Sequence, residues 1–278
     1  MRRIWESVKR VCLLVWIRVA HRMSASPESP EYLTRLRDLS LITRDFAHAM
    51  TFVLMDSKRD PGFASHHLLS YVIHDVLESL FAVVALAREG ASNSAKRELR
   101  YILELAIKVC LVEQEHPRSE IDAKIALARE LLDSTNIGAR RRIQLVLIPD
   151  ELCDEFHEEV GRLYGSACSW VHVTVEQIED RMRRLDREIT AGKEGLQELN
   201  ELIPTVERCY AAVLVLFLHS FPDWVVGDLL VEANGTSRHW HFEASRFISA
   251  IDTFFDYKAE RAGVLDAVRT RRSSMTKF

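Results

Sequence analysis

The sequence predicts an all-α protein, a multi-helix bundle of long antiparallel hairpins. Two observations carry this. Apolar residues recur at helical spacing through most of the 278 residues, and the chain holds only ten Gly and seven Pro, too few for the many tight turns of a sandwich or barrel. No strand–helix alternation interrupts the pattern, and there is no internal repeat or low-complexity tract. With 47% hydrophobic and 28% charged residues, the chain supports a buried core rather than disorder.

The elements follow in order. Leu33, Leu36, Leu39, Ile42, Phe46, Ala49 and Val53 form one stripe, ended by the Asp60-Pro61-Gly62 breaker. A second helix runs from about His66 to Arg88 and stops at Gly90. A third opens at Ser92 or Ser94, both good N-cap residues, and ends at Pro117. Shorter pieces, 119–132 and 140–147, are split by Asn136-Ile137-Gly138. Pro149 suits the first turn of a helix that crosses Gly161 and Gly165 and continues through 175–189. Residues 193–220 are long and very apolar, closed by Pro222. A helix over 223–233, an Asn234-Gly235 turn and a helix over 242–255 finish the body. Composition alone would also allow strands at 213–218 or 225–231, but their neighbours read as helix.

Charge divides the chain into a basic amphipathic helix (1–22), a flexible leader (23–30), a helical body (31–257) and a basic tail (258–278). Residues 1–22 carry six bases against Glu6, and residues 258–278 carry six bases against Glu260 and Asp266. The chain as a whole is −4, so the body is strongly acidic and no global basic field advertises nucleic acid. The apolar run 11–17 is bracketed by Arg10 and Arg18 and is too short to span a bilayer, which needs about 20 apolar residues. With Ile4, Trp5, Val8, Val11, Val15 and Val19 on one side, residues 1–22 suit peripheral contact with an anionic membrane, or a helix docked on the body or on a protein partner. Five scattered cysteines without a C-x-x-C pair read as buried reduced thiols of a cytoplasmic protein.

No Walker loop, dinucleotide fingerprint, nucleophile elbow or H-E-x-x-H is present. Glu113-x-x-His116 has the spacing of a di-iron helix but lacks the second pair such a site needs, so no metal or cofactor is expected. His67, Tyr71, His74 and Glu78 share a helix face and suit either a site or a polar seam. His239-Trp240-His241-x-Glu243 beside the 234–235 turn reads as an exposed turn with an anchoring Trp. The most informative constellation is Arg97, Arg100, Glu104 and Lys108 on one face of the third helix, followed much later by Tyr164, Ser169 and His172. An Arg–Glu pair facing a Tyr/Ser/His cluster is costly to bury without purpose.

Arg-Tyr-Ile-Leu-Glu-Leu at 100–105 and Tyr-x-x-x-x-Ser-x-x-His at 164–172 resemble a bacterial family of unknown function within the HEPN-like all-helical superfamily, over about residues 65–220. The resemblance implies a bundle that often forms a homodimer, with a polar site between the two signature helices. Many such domains are metal-independent ribonucleases of toxin and phage-defence systems, and others are inactive scaffolds. The tight Arg–His signature of the ribonucleases is not present here, since Arg162 and His172 are ten positions apart.

In a nuclease of this kind His172 would move the proton of a ribose 2′-hydroxyl and Arg100, held by Glu104, would stabilise phosphoryl charge. Tyr164 and Ser169 would orient substrate, and Arg140, Arg141 and Arg142 would draw RNA. The alternative is a non-catalytic scaffold in which the same residues form a satisfied buried network.

Overall fold

The computed structural model describes residues 29–132, 137–171, 175–186, 192 and 194–278. The expected basic helix 1–22 lies outside the described residues. Among those described the fold is all-α, with helices and short 3-10 turns and no strand beyond an isolated bridge between Val231 and Ser237.

Helix α1 (Pro30–Asp56) starts where Ser29 accepts the Tyr32 N–H at 3.1 Å with Pro at the first helical position. It buries Leu39, Ile42, Phe46, Ala49, Met50 and Val53. The Asp60-Pro61 pair, read above only as a breaker, also starts a short helix, α2 (Pro61–His66): Asp60 accepts the Phe63 N–H at 3.2 Å. Cap and breaker are the same chemistry seen from either side.

Helices α3 (Leu69–Arg88) and α4 (Ser92–Glu115) are joined at Gly90, whose φ of 63° favours glycine. The Leu68 N–H donates to Glu113 Oε1 at 2.8 Å and Ser79 Oγ to Glu98 Oε2 at 2.9 Å, so α3 and α4 run in opposite directions. By length and composition α3 could cross a membrane; its exposed side carries His74, Asp75 and Glu78, and its other side packs on α1 and α4.

After α5 (Ile121–Leu132) the expected helix at 140–147 is replaced by a 3-10 turn, Ile137–Arg142. Helix α6 (Asp150–Cys168) follows Pro149, which is the N-cap rather than the first helical residue. It stops at Cys168 instead of running to 189, and α7 (Val175–Asp186) is separate.

The central helix is α8 (Leu196–Leu218), buried along most of its length and packed on α1, α4, α6 and the later α10 (Arg246–Phe254). Pro204 sits inside it. The carbonyl that loses its partner belongs to the exposed Asn200, where water can take over. The segments with strand-like composition are helical at 213–218, in α8, and at 225–230, in α9 (Asp223–Leu230), with only Val231 extended, because burial on several sides outweighs β-branched preference.

The basic stretch 258–278 is not a tail. It folds onto α10 as a short 3-10 turn (Ala259–Arg261) and α11 (Leu265–Met275). Arg261 is fully buried, with Nη2 2.5 Å from Asp252 Oδ1 and Nη1 2.8 Å from Asp256 Oδ1, and Arg272 pairs with the same two carboxylates. The Phe278 carbonyl accepts the Arg246 N–H at 2.5 Å while its ring packs on the core. Clustered positive charge reads as a basic tail, but its counter-charges lie on α10 and just after it.

Candidate functional site

Helices α4 and α6 pack side by side and bring together three of the expected site residues. Arg100 Nη2 donates to the Tyr164 hydroxyl at 3.1 Å, and that hydroxyl donates to Glu104 Oε2 at 3.2 Å. Lys108, one turn further along α4, donates to Glu104 Oε1 at 2.6 Å. The Arg100 guanidinium stands 3.5 Å from Glu104 and 5.3 Å from the Tyr164 ring centroid. Burial works against the charge on Arg100, but the Tyr164 hydrogen bond and nearby Glu104 outweigh it and hold its pKa above the ordinary value. Burial, reinforced by Glu104, pushes the Tyr164 phenol up against the opposing pull of Arg100. Tyr164 is therefore a neutral relay between a cation and a carboxylate.

Ser169 does not join this cluster. It caps the end of α6 and its hydroxyl donates to the Ser166 carbonyl at 2.7 Å. The same loop is clamped to α4: Arg97 Nε donates to the Trp170 carbonyl at 2.7 Å, and Lys96 lies 4.2 Å from the Trp170 ring centroid. His172, the expected proton-transfer residue, lies outside the described residues.

The Arg140–Arg142 triplet does not present one compact basic surface. Arg140 turns inward and donates to the carbonyls of His157 and Ile137, at 3.1 and 3.2 Å. Burial and the neighbouring Arg141 lower its pKa. Arg142 is ion-paired with Glu115, while Arg141 is exposed to solvent.

The other weighed constellations also separate. Glu113 does not converge with the exposed His116. Its carboxylate meets Lys124 at 2.6 Å and accepts the Leu68 N–H. His67 precedes α3 and is buried, whereas Tyr71, His74 and Glu78 are exposed. The Leu69 N–H donates to His67 Nδ1 at 3.1 Å, so Nε2 carries the proton toward the Ser220 carbonyl at 3.0 Å. His239 and His241 point to different acids, Glu243 and Asp45, around the buried Trp240.

Sequence reasoning missed two features. The buried Lys124–Glu113 pair joins α4 to α5, and no local spacing signals it. Helix α7 shows a bare apolar stripe, Val175, Ile178, Met182 and Leu185, each more than half exposed. Its 3-4-3 spacing was legible, but its lack of cover was not. On the opposite side of α7, Arg184 meets Asp180 at 2.7 Å and Glu194 at 2.6 Å, and Glu194 accepts the Ser92 N–H at the start of α4. Among the described residues the helix is tethered by one face and uncovered on the other.

In comparisons with known proteins, no family model, curated protein or solved structure matches the chain. The geometry of the site is what bears on function. Both Glu104 oxygens are engaged by neighbours within the cluster, so that carboxylate answers Arg100, Tyr164 and Lys108 together. As built, the cluster fixes the register of α4 against α6.

Proposed function

We propose that this chain is an HEPN-like bundle of antiparallel helical hairpins acting as a cytoplasmic, non-catalytic interaction module that pairs with a second copy of itself. The uncovered stripe of α7 carries this reading. Four apolar side chains at a/d spacing form the seam of a left-handed helix pair. Arg181 flanks the stripe on one side and Glu179 and Asp186 on the other, so a parallel pair of α7 helices sets Arg181 against the second copy's acidic edge. Buried free thiols at Cys110 and Cys209 are consistent with a cytoplasmic setting.

A seam of twelve residues falls short of the roughly 800 Å² per partner of a standard interface, so the homodimer should dissociate on dilution. Sedimentation velocity between 1 and 100 μM (about the range where such weak pairs titrate) tests it. A monomer–dimer equilibrium abolished by I178E/M182E, with unchanged helicity, supports the reading. A wild-type chain that stays monomeric throughout overturns it. Residues 1–22 would add recruitment of a protein partner or an anionic membrane surface. Their removal should then abolish recruitment and leave self-pairing intact.

The second reading is a metal-independent RNA-cleaving toxin or phage-defence effector. It is favoured by one observation: Arg100 keeps its Nε buried without a hydrogen-bond partner, beside a cluster in which cations outnumber carboxylates among the described residues. It requires RNA cleavage in chelator leaving a 2′,3′-cyclic phosphate, lost in both His172→Ala and Arg100→Ala proteins that still fold. Cleavage that persists in either variant, or that needs a divalent ion, rejects it.

A further inference from the structure

Sharing no residue with the α4–α6 cluster, the C-terminal part of the fold encloses a half-open cavity of about 180 Å³ between α10, α11 and the 231–237 turn. Its wall is apolar, formed by Leu230, Trp240, Ile248, Val264, Val268 and Met275. Three arginines stand around it, and two of them are committed. Arg271 donates to Glu243 at 2.9 Å and contacts His239, while Arg272 donates to Asp252 at 2.6 Å and Asp256 at 2.9 Å. Arg238 is different. Among the described residues it makes no ion pair, and its guanidinium lies 5.6 Å from the centroid of the Trp240 ring.

We propose that this cavity is a binding site for a small aryl carboxylate, its ring among the apolar side chains and its carboxylate on Arg238. Size limits the ligand. A dry apolar cavity of about 150 Å³ takes one benzene, so the space here fits a single ring with a short substituent. Charge selects the substituent. Glu243 and Asp252 are already neutralised by Arg271, Arg261 and Arg272, which leaves Arg238 as the unmatched charge on the wall. A guanidinium fork receives a carboxylate through two parallel hydrogen bonds. An apolar pocket with one or two convergent polar groups is the usual form of a small-molecule site.

Calorimetry on the full chain with phenylacetate, benzyl alcohol and benzylamine tests this. Phenylacetate should saturate at one per chain, with benzyl alcohol at least tenfold weaker and benzylamine weaker still. Arg238→Gln should bring phenylacetate down to the level of benzyl alcohol without changing the melting temperature. Ala267→Phe, which fills the cavity from α11, should abolish binding of both. Because that variant could disturb packing, a ¹³C-methyl-methionine spectrum of the wild-type chain supplies an independent readout: the Met275 methyl should shift as phenylacetate saturates. The proposal is overturned by no saturable phenylacetate binding, by equal binding of benzylamine, or by saturation that leaves the Met275 methyl unmoved.

Discussion

Lys124 Nζ lies 2.6 Å from Glu113 Oε2, with both side chains only 1% exposed. The lysine also donates to the His66 carbonyl at 2.8 Å, and the carboxylate accepts the Leu68 N–H. One ion pair thus ties α4 and α5 to the connection between α2 and α3.

Breaking this pair from one side should be far worse than removing both charges. Lys124→Met leaves a buried carboxylate and is expected to cost about 3–5 kcal/mol. The double variant Lys124→Met/Glu113→Gln keeps an acceptor for the Leu68 N–H and should recover much of that loss. Urea denaturation of the two single variants and the double closes the cycle. Additive losses would show that the two side chains do not act as a pair.

Acid should destabilise the fold well before its surface carboxylates titrate. Burial drives His67 down to about 3, with the charge of Lys124 adding to it, and burial drives His219 down to about 4. Both are neutral in the fold, whereas the unfolded chain takes up protons below about pH 6.5. Stability is therefore full above pH 6.5 and falls by about 1.4 kcal/mol per pH unit for each histidine until its folded pKa is reached. Buried Glu113, raised by burial, opposes this toward the acid end of that window. Melting temperatures at pH 7.5, 6.0 and 5.0 for the wild type and His219→Gln should show the smaller slope in the variant.

Gly235 cannot take a side chain. Its φ is +80°, and a Cβ there would lie 2.0 Å from the Glu260 carbonyl oxygen. Left-handed backbone alone costs a non-glycine residue about 1–3 kcal/mol, and the clash adds displacement of the 259–261 turn. Gly235→Ala should destabilise by more than that range, read by thermal melting. Gly165→Ala, where nothing lies within 4 Å among the described residues, should be neutral or stabilising, by up to about 1 kcal/mol in a helix.

Arg261 should be indispensable for seating the C-terminal segment. Arg261→Met removes the fully buried one of the two arginines shared by Asp252 and Asp256 and should cost up to about 3–5 kcal/mol. Arg269→Ala, an exposed partner of Asp256, should cost less than about 1 kcal/mol. Equal losses in the two would contradict the burial that separates them.

Helical periodicity by itself determined that the chain is all-α, because a stripe at three- and four-residue spacing can bury its apolar side only as a helix. The Arg100–Glu104–Lys108 face was legible for the same reason, being one turn-to-turn ladder on α4. What local spacing does not carry is which faces meet. The clamping of the loop after α6 by Arg97, the inward turn of Arg140 onto His157, the burial of His67 and the seating of residues 258–278 depend on partners between 9 and 153 positions away. The tertiary structure alone decided that Glu113 answers Lys124 rather than His116, and that the stripe of α7 is exposed and faces no other element among the described residues. A residue's periodicity fixes its side of a helix, whereas burial and pairing are set by the neighbours that the rest of the chain brings to that side.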